Sequence, residues 1–223
     1  MQTLLLISVL CIGLVGNAGA AVETPTAAVY FESATAYTNN SGGGGIGFFF
    51  APSSNIQITQ LGFFDLAGDG FENGDSHFVG IYDATGTLLA GTTVYGSNSS
   101  GESYESMFWY AGIDYIVGGD SLILEAGTTY YILGEAGSDK YVINTTGFGT
   151  NGIDYLGYAF YRSPLYNADL NMGKLVSSAD SASSKYFGPN FRFAPVPIPG
   201  GLWLLGSGLV FLMARKQRPF LSR

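Results

Sequence analysis

The densest group of oxygen-bearing side chains in this chain is Asp65-Leu-Ala-Gly-Asp-Gly-Phe-Glu-Asn-Gly-Asp75, with Asp83 a few residues further on. Hard cations such as Ca2+ take six to eight oxygens from carboxylates, amides and backbone carbonyls, and glycine-rich loops bend enough to supply them. Asp69, Asn73 and Asp75 are the residues that could line such a Ca2+ loop. The spacing is not that of an EF-hand, because no glutamate closes a twelve-residue loop. The same stretch also reads as an ordinary acidic connection between strands, shaped by Asx turns. Ca2+ is therefore the single cofactor the sequence leaves open, and no other is expected.

His77, the sole histidine, follows this loop. With Asp75 or Asp83 it could form an acid–base pair, although packing on a strand explains it more simply. No Gly-x-Ser-x-Gly elbow occurs, and one histidine without a second set of ligands makes no usual zinc site. A polysaccharide hydrolase would need two carboxylates about 5–10 Å apart in a cleft, and sequence cannot place them. The expectation is a protein that is not an enzyme. A second candidate region is aromatic: Asp154-Tyr-Leu-Gly-Tyr-Ala-Phe-Tyr-Arg162, followed by Tyr166. Exposed on one face, Tyr155, Tyr158 and Tyr161 could stack on sugar rings, offering apolar area with a polar tip. Alternate residues of a strand face opposite ways, so about half of them are expected to pack inward.

These residues must be positioned by strands. Fifteen Tyr, 16 Phe and 33 Gly favour strands and tight turns over helices. Short β-type runs recur at Ala28–Phe31, Gly45–Phe50, Ile56–Phe64, His77–Tyr82, Thr87–Val94, Met107–Tyr110, Ser121–Leu124, Thr129–Leu133, Tyr141–Asn144, Ile153–Tyr161 and Asn190–Phe193. Ile56 and Ile58 alternate with Gln57 and Thr59, the period of a half-buried strand. Asp83-Ala-Thr-Gly86 and Glu125-Ala-Gly127 carry turn chemistry, the first as a hairpin. The fold expected is all-β, a jelly-roll-like β-sandwich ectodomain over residues 21–194, without internal repeats.

The two ends differ from this middle. Residues 1–20 have an apolar stretch from Leu4 to Val15 and the small-residue site Ala18-Gly19-Ala20, as in a secretory signal cleaved after Ala20. Cys11, the sole cysteine, lies inside it, so no disulfide framework is expected. At the other end Pro195, Pro197 and Pro199 block helix formation, and a helix can begin near Gly200. From there to Ala214 no residue is charged, about 22 Å of helix at ~1.5 Å per residue. Trp203 suits a membrane interface, and Arg215 and Lys216, with Arg218, suit a cytoplasmic flank. The ends are thus read as a signal helix and a C-terminal transmembrane helix.

Residues 196–218 resemble the PEP-CTERM sorting signal of Gram-negative bacteria. Val196-Pro197-Ile198-Pro199 is the VPxP form of its proline motif, and Trp203-Leu-Leu-Gly-Ser-Gly-Leu and the basic end follow in the family's order. The middle resembles the DUF4082-like β-sandwich ectodomains that often carry such tails. The matching residues are Leu61-Gly-Phe-Phe, Ser76-His-Phe-Val-Gly-Ile-Tyr-Asp-Ala-Thr-Gly-Thr-Leu-Leu-Ala90, Leu124-Glu-Ala-Gly-Thr-Thr-Tyr-Tyr131 and Phe187-Gly-Pro-Asn-Phe191. The resemblance implies three segments: signal 1–20, ectodomain 21–194 and sorting tail 195–223. It also implies export, transient anchoring in the inner membrane, processing by an exosortase, and release to the cell surface or an exopolysaccharide matrix. The expected role is structural or adhesive, in exopolysaccharide or biofilm, with a glycan-binding module, Ca2+-dependent or not, as the alternative and a hydrolase behind it.

Charge narrows the partners. Residues 21–194 hold all 17 carboxylates, against five cations at Lys140, Arg162, Lys174, Lys185 and Arg192, a formal 5 − 17 = −12. Such a surface repels nucleic acid phosphates, and no nucleic acid partner is expected. Polysaccharide remains compatible.

Overall fold

A computed structural model describes residues 24–38, 44–98, 101–135, 137, 139–166, 168–179 and 187–196. The signal residues Ala18 and Ala20 and the tail residues Pro197, Pro199, Trp203, Arg215 and Lys216 lie outside the described residues. No helix among the described residues is long and apolar enough to cross a membrane.

The described chain is all-β, and its strands pair antiparallel. Three strands lead in: β1 (Thr26–Ala27), β2 (Val29–Tyr30) and β3 (Ser33–Thr38). Then come β4 (Gly45–Pro52), β5 (Ile56–Phe64), β6 (His77–Asp83), β7 (Leu88–Val94), β8 (Ser103–Glu105), β9 (Phe108–Gly112) and β10 (Tyr115–Ile116). After them come β11 (Leu122–Leu124), β12 (Tyr130–Glu135), β13 (Lys140–Thr146), β14 (Gly149–Thr150), β15 (Ile153–Tyr161), β16 (Leu175–Ser178) and β17 (Pro189–Pro195).

One sheet runs β1-β17-β5-β9-β8, with β11 also on β5, and the other runs β10-β7-β6-β12-β4-β15-β16. Their inner faces meet in an aromatic core, giving a β-sandwich-like body. Phe50 of one sheet lies 4.9 Å from Phe191 of the other, and Phe63 stacks on His77 at 4.2 Å. Burial of each such phenylalanine contributes about 1.5–3 kcal/mol. The pairs β13-β3 and β14-β2 flank the larger sheets. From this side Phe31 packs on Phe64, Phe108 and Phe187.

The sequence pattern explains most of these elements. Ile56 and Ile58 are buried on β5 while Gln57 and Thr59 are half-buried, as alternation requires. The hairpin at Asp83–Gly86 forms: Gly86 N–H donates to the Asp83 carbonyl at 3.0 Å. Burial pulls the Asp83 carboxyl upward, but hydrogen bonds from the Thr85 hydroxyl and from the Thr87, Thr85 and Gly86 N–H groups outweigh it and hold it below the usual range. β15 carries a bulge between Tyr155 and Gly157. Gly157 has φ 154, and a Cβ there would collide with the Ser178 carbonyl. Beyond the bulge β15 turns Ala159 and Tyr161 outward, where they join a second cluster with Tyr82, Leu88, Leu133, Leu165 and Leu170.

One buried amide ties the lead-in segment to the sandwich. Asn190 is fully buried. Its Oδ1 accepts from Val29 N–H at 3.2 Å, and its Nδ2 donates to the Val29 carbonyl and the Tyr110 hydroxyl, each at 2.9 Å. The side chain thus pairs with Val29 as a neighbouring strand would. Tyr82 is the contrasting case, a fully buried residue whose hydroxyl has no partner among the described residues. Asn190→Ala is expected to cost about 2–4 kcal/mol, because the Val29 N–H and carbonyl, the Tyr110 hydroxyl and the Phe191 N–H each lose a hydrogen bond. Tyr82→Phe is expected to be neutral or stabilising by up to about 1 kcal/mol. Urea unfolding of both variants checks the pair.

Candidate functional site

Where β5 ends, Asp65 folds the chain back on itself. Its Oδ1 accepts from Ala67 N–H at 3.1 Å and Gly68 N–H at 3.0 Å. Its Oδ2 accepts from Gly70 N–H at 2.9 Å and the Trp109 indole at 3.0 Å. Gly68 sits at φ 70, a left-handed conformation natural to glycine. The Tyr104 hydroxyl donates to the Asp65 carbonyl at 2.9 Å and packs its ring beside Trp109. Burial first, then Asp65 and Asp69, raises the Tyr104 phenol above its ordinary value, so it stays a donor. A short 3-10 turn, Glu72–Gly74, completes the loop with Asn73 at φ 60.

His77, at the start of β6, anchors the loop from beneath. It is 1% exposed, stacked on Phe63 and met edge-on by Phe71 at 4.3 Å. Its Nδ1–H donates to the Glu135 carbonyl at 2.6 Å, and its Nε2 lies 2.7 Å from Asp139 Oδ2. A carbonyl and a carboxylate are both acceptors, so satisfying both contacts takes two protons shared between imidazole and carboxyl. Asp139 Oδ1 then accepts from Glu72 N–H at 2.9 Å. The histidine's carboxylate partner is therefore Asp139, 62 residues away, rather than Asp75 or Asp83. Burial raises the Glu135 carboxyl beside this pair, with His77 opposing.

Loop and anchor enclose a cleft of about 340 Å3 lined by Phe64, Asp65, Leu66, Ala67, Asp69, Gly70, Phe71, Glu72, Asp139 and Lys140. Its volume is at the low end of the ~300–1,000 Å3 typical of small-ligand sites. Lys140 Nζ pairs with Glu72 at 2.8 Å, both half-exposed. The Glu72 hydrogen bond and charge raise the Lys140 ammonium above its ordinary value. Leu66 is exposed at the rim. Asp69 lines the cleft and has no hydrogen-bond or ion-pair partner among the described residues. The lining is acidic, with one cation, an apolar wall and a floor fixed by hydrogen bonds.

Of the residues considered for Ca2+, Asp69 lines this cleft and Asn73 and Asp75 do not. Asn73 is exposed, and Asp75 is partly buried with its N–H bonded to the Glu72 carbonyl at 3.1 Å. Among the described residues no three of His, Cys, Asp and Glu stand close enough to share a metal ion. The three β15 tyrosines do not all share a face. Tyr155 packs between the sheets against Phe48, Phe148 and Phe187 at 5.9, 5.5 and 5.7 Å. Tyr158 is half-buried and in register with Phe48. Tyr161 is 7% exposed on the outer side, its hydroxyl accepting from Asn171 N–H at 3.1 Å. Tyr166 is exposed. Sequence reasoning missed Asp139 and Lys140, since no local signal links residues so far from the acidic loop.

Compared with family models, curated proteins and solved structures, the chain matches none.

The Asp139–His77 link predicts a test. Asp139→Ala leaves the imidazole and the Glu72 amide unpaired under cover, and the expected loss is about 3–5 kcal/mol in urea unfolding. The exposed substitution Glu125→Ala is expected to stay within about 0.5 kcal/mol.

Proposed function

We propose that the protein is an exported cell-envelope or extracellular-matrix protein, with a structural or adhesive role in exopolysaccharide or biofilm. An exosortase-type enzyme sorts it and processes it, with the inner membrane as a transient anchor. The observation that carries this reading is the junction of body and tail. β17 ends at Pro195, and Val196 N–H donates to the Asn55 carbonyl at 3.2 Å. β17, between β1 and β5 in the first sheet, therefore finishes where the proline motif Val196-Pro197-Ile198-Pro199 begins. Cleavage near Pro199 would leave every described strand of the sandwich in place. In finer terms the body is jelly-roll-like, a reading supported by a chain that crosses repeatedly between two antiparallel sheets.

Glycan binding is the second reading, favoured by the cleft between the acidic loop and Asp139–Lys140. The carboxylates of Asp65 and Asp139 are engaged by the protein's own donors, which supports recognition by a fixed surface over catalysis there.

Intact mass and terminal sequencing of protein from its own host, taken separately from membrane and medium, test the proposal. The expected product begins near Ala21 and ends near Pro199. A C-terminus still reaching Arg223 in every fraction would overturn sorting by cleavage.

A further inference from the structure

β5 and β17 run antiparallel side by side, with Ile56 in register with Pro195 and Phe63 with Pro189. The tail therefore leaves the body at the end of the sandwich where β5 begins, and the cleft opens where β5 finishes. Nine residues of strand separate these ends, roughly 25–30 Å at ~3.3 Å per residue.

We propose that the cleft binds an amino-sugar residue of a polysaccharide, its ammonium paired with Asp69. This rests on the exported, matrix-associated reading of the protein. Charge and shape both favour such a ligand. Four carboxylates, Asp65, Asp69, Glu72 and Asp139, line the cleft against Lys140 alone. Asp65, Glu72 and Asp139 are already bonded within the protein, while the exposed Asp69 carboxylate feels the Lys140 charge but has no hydrogen-bond or ion-pair partner among the described residues. An ammonium there gains a charge-assisted hydrogen bond. Leu66 and Ala67 offer an apolar wall for the C–H face of a pyranose, and the exposed Glu72–Lys140 pair at the mouth offers an acceptor and a donor for hydroxyls. The floor is set before a ligand arrives, because Asp65 and Asp139 fix its backbone, which lowers the ordering cost of binding.

The test is calorimetric titration of the full chain, purified in nonionic detergent, with a glucosamine oligomer, its N-acetylated counterpart, a neutral glucose oligomer and a lysine oligomer. The glucosamine oligomer is expected to bind at least about tenfold more tightly than the other three, and more weakly as salt is raised. Asp69→Asn is expected to abolish that preference. Asp120→Asn, an exposed change outside the cleft, is expected to leave it unchanged. Absence of binding, equal binding of acetylated or neutral sugar, equal binding of the lysine oligomer, or an unaltered Asp69→Asn titration each overturns the proposal. Failure of the sorting reading shows instead in the terminal sequence of the host protein, which this titration does not measure.

Discussion

The imidazole of His77 lies between the sheets and links the core to the surface. It stacks on Phe63 of the opposite sheet, and its nitrogens face the Glu135 carbonyl at the end of β12 and the Asp139 carboxyl in the β12–β13 connection. A polar ring in so apolar a place is tolerated only if fully bonded. Satisfying it fixes Asp139, Asp139 fixes Glu72, and Glu72 fixes one wall of the cleft. The aromatic core and the acidic loop are therefore one connected structure.

The acidity of the chain has a structural side that net charge hides. Asp65 gathers three backbone N–H groups and an indole, Asp83 closes a hairpin, and Glu102 accepts from Tyr95 and Ser97. Carboxylates suit this work because each oxygen accepts more than one hydrogen bond. A glycine-rich chain with few lysines needs such organisers, since its turns carry little packing of their own. The consequence is a negative surface potential.

Much of the fold is legible in the sequence where a local period exists. β5 and β15 occupy the expected runs Ile56–Phe64 and Ile153–Tyr161. β3, β8 and β16 escape notice because Ser33–Thr38, Ser103–Glu105 and Leu175–Ser178 are short, largely polar or exposed, and lie at sheet edges. The bulge after Tyr155 is likewise unmarked, yet it puts Tyr155 and Tyr158 on one side and Tyr161 on the other. For the site, the acidic loop was visible as composition, and Asp69 stands in the cleft. Asp139 and Lys140 were not visible, because tertiary pairing across 62 to 68 residues brings them to His77 and Glu72.

The loop after β5 is a fixed, carboxylate-organised wall rather than a mobile acidic connection. Amide hydrogen exchange resolved by residue tests it most directly. The N–H groups of Gly68, Gly70 and Glu72, bonded to Asp65 or Asp139, are expected to exchange at least about a hundredfold more slowly than in an unstructured chain. Exchange of all three at unstructured rates, with the strands still protected, would contradict it.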